Sequence, residues 1–402
     1  MRRVVVTGMG AVSACGVGVD ALWTAARDGR SGMRDVEFPQ IARQRVKQAG
    51  AISPEIYGHI WQAANPRLQD RVSAIAVAAA REAVAQAGLE AGDFGPSCAV
   101  IVGTGYGGAD TLDRNVYAFS RDPNARVDPL CIPKIMTSAP AAWVAMEFAA
   151  QGPTMCISTA CSSATQSIGL GMQMIRAGMV TRCLAGGAEA LIVAHVFRSW
   201  EILRILTPGL CRPFSQGRDG MNLGEGAGVL VLEDREAAIA RGAPIIAELA
   251  GYGTTGGAPD LLRSDAGGAA AAIAASLRDA GLGPEEIGYV NAHGTGTVAN
   301  DLAEAEAMRS VFGAKLESMA VSTTKPVHGH ALGAAGALQF IIAVQAMREQ
   351  VAPPTLNFEG VDPKVGLDPV SGGPRRFAGR AVMANSFAFG GVNASLVAIS
   401  GD

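Results

Sequence analysis

Residues 152–178 read GPTMCISTACSSATQSIGLGMQMIRAG. Up to Thr159 the stretch is a turn followed by a short β-rich run. From Cys161 onward, apolar residues recur at the spacing of a helix that Gly178 can end. The stretch therefore predicts a strand, a sharp turn and a helix, with Cys161 at the junction.

The position of Cys161 suggests two roles. A thiol at a helix N-terminus lies near the positive end of the helix dipole, which favours the thiolate, so we expect a pKa below the usual value of about 8.5. The small neighbours of Cys161 would also let a substrate approach the sulfur. The alternative is a small buried core residue, which is the usual role of a free cysteine. This stretch by itself leaves both open.

Strand-like and helix-like segments alternate along the whole chain. This pattern predicts an α/β fold with largely buried sheets. A charged stretch at residues 233–244 ends one strand and leads into a second half without an obvious linker. We expect two halves, residues 1–240 and 241–402, packed as one body. The clearest helical periodicity covers residues 72–87, 267–280, 301–312 and 336–348.

Composition excludes several classes of protein. The 402 residues are 49% hydrophobic and 17% charged, with a net charge of −3, so nothing predicts attraction to nucleic acid. The seven cysteines lack regular spacing, which favours reduced thiols in a cytoplasmic protein. Glycine, threonine and other polar residues interrupt every long apolar run, so we expect neither a signal peptide nor a membrane span.

Two glycine-rich segments, at residues 7–13 and 103–108, partly resemble a dinucleotide-binding loop. Asp28 follows the first segment at about the right distance, but it lies in a predicted helix end rather than at the end of a second strand. No suitable acidic residue follows the second segment. We interpret both segments as structural turns and expect no nucleotide cofactor.

Two of the five histidines, His293 and His330, occur where predicted strands open into loops, which is where α/β folds place ligands. His293 lies in YVNAHGTGT, and His330 lies with Lys325 in STTKPVHGHALGAAG. Together with a cysteine, these side chains can form a nucleophilic site. Glycines in NSFAFGGVN, residues 385–393, would bring backbone N–H groups close to a bound carbonyl. His328 and His330 have no acidic or thiol residue near them in sequence, so we predict no metal site.

Five motifs, taken together, resemble the β-ketoacyl-acyl carrier protein synthases of the elongating Cys-His-His type. The resemblance covers essentially the whole chain. It implies a thiolase-like fold, in which two similar halves stack in α-β-α-β-α layers and form a dimer. The N-terminal half would carry the nucleophile and the C-terminal half the two histidines and the lysine. The motifs are STACSSA (158–164), CRPFSQGRDGMNLGEGAG (211–228), NAHGTGT (291–297), STTKPVHGHALGAAG (322–336) and NSFAFGGVN (385–393).

The resemblance also implies roles for individual residues. Cys161 would be the nucleophile, His293 and His330 the paired histidines, and Lys325 the lysine that orients the second of them. Phe389 would be a mobile gate, and its backbone N–H would form the oxyanion hole with that of Cys161. Thr295 and Thr297 would line the pantetheine channel, and Asp301 and Glu304 would support the histidines from behind.

An acyl carrier protein is the partner that the resemblance implies. It would deliver substrates on its phosphopantetheine arm, so no metal or diffusible cofactor is expected. Because carrier proteins are typically acidic, we expect a local basic patch in spite of the net negative charge. Arg67 and Arg204 match basic docking positions of the family. Arg71 is a third candidate that could equally be an ordinary surface charge.

Some residues depart from the family pattern. Val392 stands where several relatives have threonine, Ser215 stands where an acidic residue is common, and the segment GGAPDLLRSD (256–265) differs near the entrance. These differences favour a specialised synthase, making polyenes or nodulation-type acyl chains, over housekeeping fatty-acid elongation.

Other members of this enzyme class remain to be weighed. The chain could be the active subunit of a ketosynthase/chain-length-factor heterodimer rather than a homodimer. A silent partner subunit is disfavoured because Cys161 and both histidines are present. A biosynthetic thiolase is disfavoured because it uses a second cysteine, and an initiating synthase because it has asparagine where His330 stands.

Overall fold

The computed structural model describes residues 1–257 and 260–401. Ala258 and Pro259, within the divergent segment 256–265, lie outside the described residues, as does Asp402. The strands of the described residues, in chain order, are β1 (Val4–Ser13), β2 (Gly16–Val17), β3 (Arg34–Asp35), β4 (Gln48–Ala49), β5 (Cys98–Gly103), β6 (Thr154–Met155), β7 (Arg182–Glu189), β8 (Gly226–Asp234), β9 (Ala247–Thr255), β10 (Ile287–Asn291), β11 (Ala320–Ser322), β12 (Val351–Ala352), β13 (Arg375–Arg376), β14 (Ala381–Ala388) and β15 (Val392–Ile399).

Helices connect these strands, and most of them are amphipathic or fully buried. None of the described helices is long and apolar enough to cross a membrane. The α-helices are α1 (Val19–Arg27), α2 (Pro54–Gln62), α3 (Arg71–Gln86), α4 (Ala109–Arg121), α5 (Cys131–Ile135), α6 (Ala139–Glu147), α7 (Ser163–Arg176), α8 (Ala194–Ile202), α9 (Arg235–Ala240), α10 (Ala266–Ala280), α11 (Val298–Phe312), α12 (Lys325–His328) and α13 (Ala335–Glu349).

The main sheet repeats one arrangement of strands in two halves. Its order is β11-β10-β14-β15-β9-β1-β8-β7-β5-β6. In the N-terminal half, β1, β8 and β7 pair antiparallel, and then β7, β5 and β6 pair parallel. In the C-terminal half, β9, β15 and β14 pair antiparallel, and then β14, β10 and β11 pair parallel. The halves meet where β1 pairs with β9 over two residues on each strand, Val5 with Glu248 and Val6 with Ala247.

Helices form three layers around these two sheet halves. One outer layer, α3 and α6, packs on the N-terminal half, and the other, α10 and α11, packs on the C-terminal half. The central pair, α7 and α13, lies between the halves and contacts strands of both. The predicted two-fold repeat and the α-β-α-β-α layers of a thiolase-like fold are therefore confirmed.

The layers can come close together because glycines occur where backbones meet. A Cβ added to Gly10 on β1 would overlap the Ala79 carbonyl oxygen of α3. A Cβ added to Gly103, at the end of β5, would lie 2.6 Å from the carbonyl carbon of Ser163, the first residue of α7. The start of α7 is therefore fixed against β5, and the residues just before α7 inherit that position.

Candidate active site

Cys161 lies in a single turn of 3₁₀-helix, Ala160–Ser162, that leads directly into α7. Ala160 has a φ of +49°, in the left-handed region that residues other than glycine rarely adopt. The hydroxyl of Ser162 lies 2.7 Å from the carbonyl oxygen of Val392 and 3.1 Å from that of Ser386. These bonds tie the turn of Cys161 to both strands of the β14–β15 hairpin, and so to the segment that carries Phe389.

The Cys161 thiol is a weaker acid than predicted. Burial raises its pKa to about 12, outweighing the Lys325 charge and the backbone hydrogen bond that lower it. The prediction of a lowered pKa was therefore wrong, because the loss of water costs the thiolate more than the helix start returns. Cys161 is a thiol at neutral pH and needs a base.

His330 provides that base. Its Nε2 lies 2.9 Å from the Cys161 Sγ, within reach for direct proton transfer. Its backbone N–H donates to the Asn222 carbonyl at 2.9 Å, which fixes the loop. Among the described residues, none forms a hydrogen bond with the buried Nδ1 of His330. No neighbour therefore locks one tautomer, so Nε2 can accept a proton in one step and donate one in another.

The second histidine lies at an angle to the first. The ring centroids of His293 and His330 are 5.4 Å apart, and the rings are inclined at 83°. Burial and the nearby Lys325 charge lower both pKa values well below 6.5. Both imidazoles are therefore neutral at physiological pH, and each can donate one N–H without carrying a charge.

Lys325 contacts His293 and not His330. Its Nζ lies 3.2 Å from His293 Nδ1, donates to the His293 carbonyl oxygen, and donates to Gln339 Oε1 at 2.8 Å. The expectation that this lysine orients His330 is therefore corrected: the side chain extends back across the loop to the other histidine. An ammonium only donates, so Nδ1 of His293 must accept, and the His293 proton lies on Nε2.

Two carboxylates on α11 hold the loop of His293 from behind. Glu304 accepts the backbone N–H groups of His293 and Gly294, each at 2.7 Å. Asp301 accepts those of Phe214 and Gly296, at 2.7 and 3.1 Å. Burial raises the pKa of both carboxyl groups. Their shortest bonds go to backbone groups, which is the geometry of a supporting role.

A cavity of about 300 Å³ opens onto Cys161, His293 and His330. Thr295 and Thr297 line its wall, with their hydroxyl oxygens 2.9 Å apart. Arg263, from the segment that departs from the family pattern, also lines the cavity, although no sequence pattern singled it out.

Phe389 also lines this cavity, at the tip of the β14–β15 hairpin. Its ring stacks on that of Trp200, with the centroids 6.0 Å apart and an angle of 18°. The next residue, Gly390, has a φ of +77° and donates its N–H to the Leu261 carbonyl at 2.8 Å. A short turn of this kind can change the position of the ring without disturbing the strands.

The predicted docking arginines lie in different surroundings. Arg204 is exposed and lines the cavity. Arg67 is exposed and borders a separate surface depression with Arg114 and Arg126. Arg71 is mostly buried, 2.8 Å from Glu225 and stacked on a tyrosine ring. The suggestion that Arg71 contributes to docking was wrong, because its charge is used inside the fold.

Two of the departures from the family pattern have structural explanations. Val392 contributes its backbone carbonyl to Ser162, an interaction for which the side chain is immaterial. Ser215 is buried, and its hydroxyl accepts the Glu359 N–H at 3.1 Å. Ser215 is not among the described residues that line the cavity.

One buried residue that the sequence reasoning missed is Gln339 on α13. Its amide accepts from Lys325 and donates to the Ala292 carbonyl at 2.6 Å, joining α13 to the loop of His293. A polar residue in the otherwise apolar run of this helix was the signal in the sequence.

The same three reactive side chains could also hold a metal ion. The Sγ of Cys161 and one ring nitrogen each of His293 and His330 lie within 4.8 Å of one another. Thiolate and imidazole are ligands that suit zinc and similar ions.

Two family models match the chain when it is compared with known proteins. The model of the beta-ketoacyl synthase N-terminal domain matches residues 1–238, and that of the C-terminal domain matches residues 246–359. Nodulation protein E of Rhizobium sp. (strain N33) is 41% identical over 405 residues, 98% of each chain. The 3-oxoacyl-[acyl-carrier-protein] synthase 2 of Coxiella burnetii is 36% identical over 408 residues, again 98% of each chain.

Solved structures agree with these relatives. The ishigamide ketosynthase/chain length factor superposes with a TM-score of 0.94 at 35% identity, and the match covers 100% of both chains. A type II PKS ketosynthase, solved in complex with its acyl-carrier protein, gives 0.89 at 29% identity with the same coverage.

Proposed function

Since the chain belongs to the β-ketoacyl synthase family and is an acyl-transferring condensing enzyme, we propose that Cys161, His330 and His293 carry out its chemistry. The reaction is the decarboxylative Claisen condensation of malonyl-acyl carrier protein with an acyl chain bound to Cys161. The observation that carries the assignment of residues is the 2.9 Å distance from His330 Nε2 to the Cys161 sulfur, beside a second neutral histidine.

The first step loads the acyl chain. His330 Nε2 takes the thiol proton as the Cys161 sulfur attacks the carbonyl carbon of the carrier thioester. The tetrahedral intermediate carries its charge on oxygen, and the backbone N–H groups of Cys161 and Phe389 stabilise it. The bond from carbon to the pantetheine sulfur then breaks. His330 returns the proton to that sulfur, which leaves an acyl thioester on Cys161 and two neutral imidazoles.

The second step forms the carbon–carbon bond. After loading, the proton of His330 moves from Nδ1 to Nε2 by exchange with water in the cavity. The Nε2–H groups of His293 and His330 then donate to the thioester oxygen of the malonyl group, where negative charge develops as carbon dioxide leaves. The resulting enolate carbon attacks the acyl carbonyl on Cys161. The bond from that carbonyl to sulfur breaks, and the leaving thiolate takes up one proton from water, which balances the negative charge that the malonyl carboxylate brought in. All groups are side chains or backbone amides, so the proposed reaction needs no metal or diffusible cofactor.

We propose an acyl carrier protein as the partner that delivers both substrates. The support is the exposed Arg204 at the cavity and the basic group of Arg67, Arg114 and Arg126, on a chain of net charge −3. A ketosynthase of the same fold has been solved with its carrier protein, as described above. The pantetheine arm would pass Thr295 and Thr297 on its way to Cys161.

We further propose a specialised pathway and a two-chain assembly, either a homodimer or a heterodimer with a ketosynthase-like subunit. The similarity to nodulation protein E and to a ketosynthase/chain length factor supports this proposal.

We also propose a cytoplasmic location. The support is that the seven cysteines are all free among the described residues, as is usual for proteins in a reducing compartment.

Substitution of Cys161 by alanine tests the assignment. We expect Cys161→Ala to abolish acylation and condensation while malonyl decarboxylation continues, because the histidines still stabilise the enolate. Intact-mass analysis detects the acyl-enzyme, and carbon dioxide release detects decarboxylation. Condensation at near wild-type rate in the variant would exclude Cys161 as the nucleophile.

The pathway is tested with the wild-type protein and carrier-bound acyl chains that differ in length and unsaturation. We expect Cys161 to be acylated fastest by polyunsaturated chains, as measured by intact mass. A preference for ordinary saturated chains would contradict the specialised pathway and leave the condensing activity in place.

A further inference from the structure

Glu189, the last residue of β7, is a buried carboxylate to which the reaction above assigns no role. It is 0% exposed, and both of its oxygens accept hydrogen bonds. One oxygen accepts the backbone N–H of Tyr106 and the hydroxyl of Thr104, both at 3.1 Å. The other accepts the backbone N–H of Gly105 at 2.7 Å and that of Gly333 at 2.9 Å.

These donors belong to two separate segments. Thr104, Gly105 and Tyr106 form the turn after β5 in the N-terminal half. Gly333 lies in the C-terminal half, shortly after His330 and just before α13. Glu189 is therefore a bridge between the halves, made through three backbone N–H groups and the hydroxyl of Thr104.

The same two segments determine where the reactive atoms lie. The turn after β5 directly follows Gly103, which packs on the first residue of α7, immediately after the turn of Cys161. Gly333 in turn packs on the turn after β5: an added Cβ would lie 2.6 Å from the nitrogen of Gly105 and 2.7 Å from the Glu189 carboxylate. A shift between the two segments would change the distance from His330 to Cys161.

We propose that Glu189 is a positioning residue of the condensing enzyme, which keeps the loop of His330 in register with the turn of Cys161. The inference rests on the proposed function, because it assigns to Glu189 the task of keeping that base beside that nucleophile. Glu189 does not touch the substrate in this role and acts only through Gly333 and the turn after β5.

Electrostatics argue that geometry, and not charge, explains this carboxylate. Its negative charge raises the pKa of Cys161, which opposes formation of the thiolate. Burial raises the pKa of Glu189 itself to about 7, although four hydrogen bonds oppose that shift. Burying the Glu189 carboxylate costs free energy, and its charge disfavours the Cys161 thiolate. Its benefit is therefore structural, because it holds four hydrogen-bond donors together.

The test compares Glu189→Gln with Glu189→Asp and with a matched control, Glu233→Gln. Glutamine keeps the size of the side chain but turns one accepting oxygen into a donor that faces other donors. Aspartate keeps two accepting oxygens on a shorter arm. Glu233 is another buried carboxylate of the same core, which pairs with Thr7, Arg182 and Arg241.

Three quantities are measured: the single-turnover rate of Cys161 acylation, the KM for the carrier-bound acyl substrate, and the thermal midpoint. We expect Glu189→Gln to slow acylation about 10- to 100-fold with an unchanged KM, and Glu189→Asp to recover part of the rate. We expect Glu233→Gln to lower the thermal midpoint and leave the acylation rate within about twofold of wild type.

The outcomes separate the inference from the proposed function. Wild-type protein that never acylates Cys161 contradicts the function. Wild-type acylation with an equally fast Glu189→Gln variant contradicts the positioning role, as does a rate loss in Glu233→Gln of the same size. If Glu189→Gln does not fold, Glu189→Asp decides: slow acylation with an unchanged KM supports the role, and a wild-type rate overturns it.

Discussion

The reactive side chains of this site are all neutral or nearly so, and burial is the common reason. Water is excluded from Cys161, His293 and His330, so the thiol keeps its proton and the imidazoles do not gain one. The enzyme therefore moves a proton between neighbours instead of storing a thiolate. This arrangement protects the sulfur from solution electrophiles until a substrate and its base are both in place.

The two histidines should have separable effects. His330→Ala removes the base of Cys161 and one donor to the enolate, so we expect both acylation and malonyl decarboxylation to fall. His293→Ala should reduce decarboxylation alone. Losses of about 10²–10³-fold are expected, as for removal of one oxyanion donor. Acylation is followed by intact mass and decarboxylation by carbon dioxide release, and equal losses in both assays for His293→Ala would contradict the division of roles.

The Lys325 charge should give the decarboxylation rate an alkaline limit. Burial lowers the pKa of Lys325 from its usual value of about 10.5 to about 8. Below that shifted pKa the ammonium holds Nδ1 of His293 as an acceptor, and above it the charge is lost and the neutral amine has only two N–H groups for its three acceptors. We expect the rate to fall as pH rises, with a midpoint below 10.5, and we expect the slow Lys325→Met variant to lack this fall. If the decarboxylation rate of Lys325→Met also falls at high pH, the fall comes from the titration of another residue.

At the same scale, the sequence predicted which residues meet but not how they interact. Cys161, His293, His330 and Lys325 all lie in one site, because each follows a strand whose end faces the same cavity. The histidine that Lys325 contacts and the pKa of Cys161 could not be predicted. The first depends on where a long side chain extends, and the second depends on the depth of burial.

At the scale of elements, helical periodicity was sufficient to find the main helices. The helices predicted at residues 72–87 and 267–280 are confirmed as α3 and α10, within one residue at each end. The helix predicted from residue 301 begins earlier, at Val298, because the three residues before Asp301 are too few to show a helical apolar period. The strand β6 is shorter than the β-rich run predicted before Cys161. It lies at the edge of the sheet, where only one neighbouring strand is available to pair with it.

Close packing of β1 on α3 gives a prediction about stability. In Gly10→Ala, the new methyl group would overlap a carbonyl of α3, so the layers must separate. We expect a loss of about 1–3 kcal/mol in the free energy of unfolding, the usual cost of overpacking a core. Gly92→Ala is the control, because its methyl group would meet no described atom within 4 Å. Denaturant unfolding measures both, and similar midpoints would contradict the packing argument.

At the scale of the whole molecule, the position of charge matters more than its sum. The chain is slightly acidic overall, yet Arg204 lies at the cavity and Arg67 lies in a basic depression elsewhere on the surface. Sequence comparison of single positions selected both arginines. It could not separate them from Arg71, because only the fold shows that Arg71 is paired with Glu225.

Reversing the two exposed charges tests the docking surface. We expect Arg67→Glu combined with Arg204→Glu to raise the KM for carrier-bound substrate more than it lowers kcat, and added salt should weaken wild-type binding in the same way. Acylation by a small carrier-free thioester should not change. Arg376→Glu, on the exposed strand β13, is the control. Equal losses with both substrates would show that the two arginines support the fold instead.

The order of strands in the C-terminal half also constrains when the enzyme becomes reactive during its synthesis. The hairpin β14–β15 is translated after the rest of that half, yet it lies in the middle of its sheet, between β10 and β9. On the ribosome, Cys161 therefore emerges long before the hairpin that completes its surroundings. Until then the nascent chain carries Cys161 without an organised base beside it. Condensing activity can therefore appear only after the β14–β15 hairpin has inserted between β10 and β9, which are both translated before it.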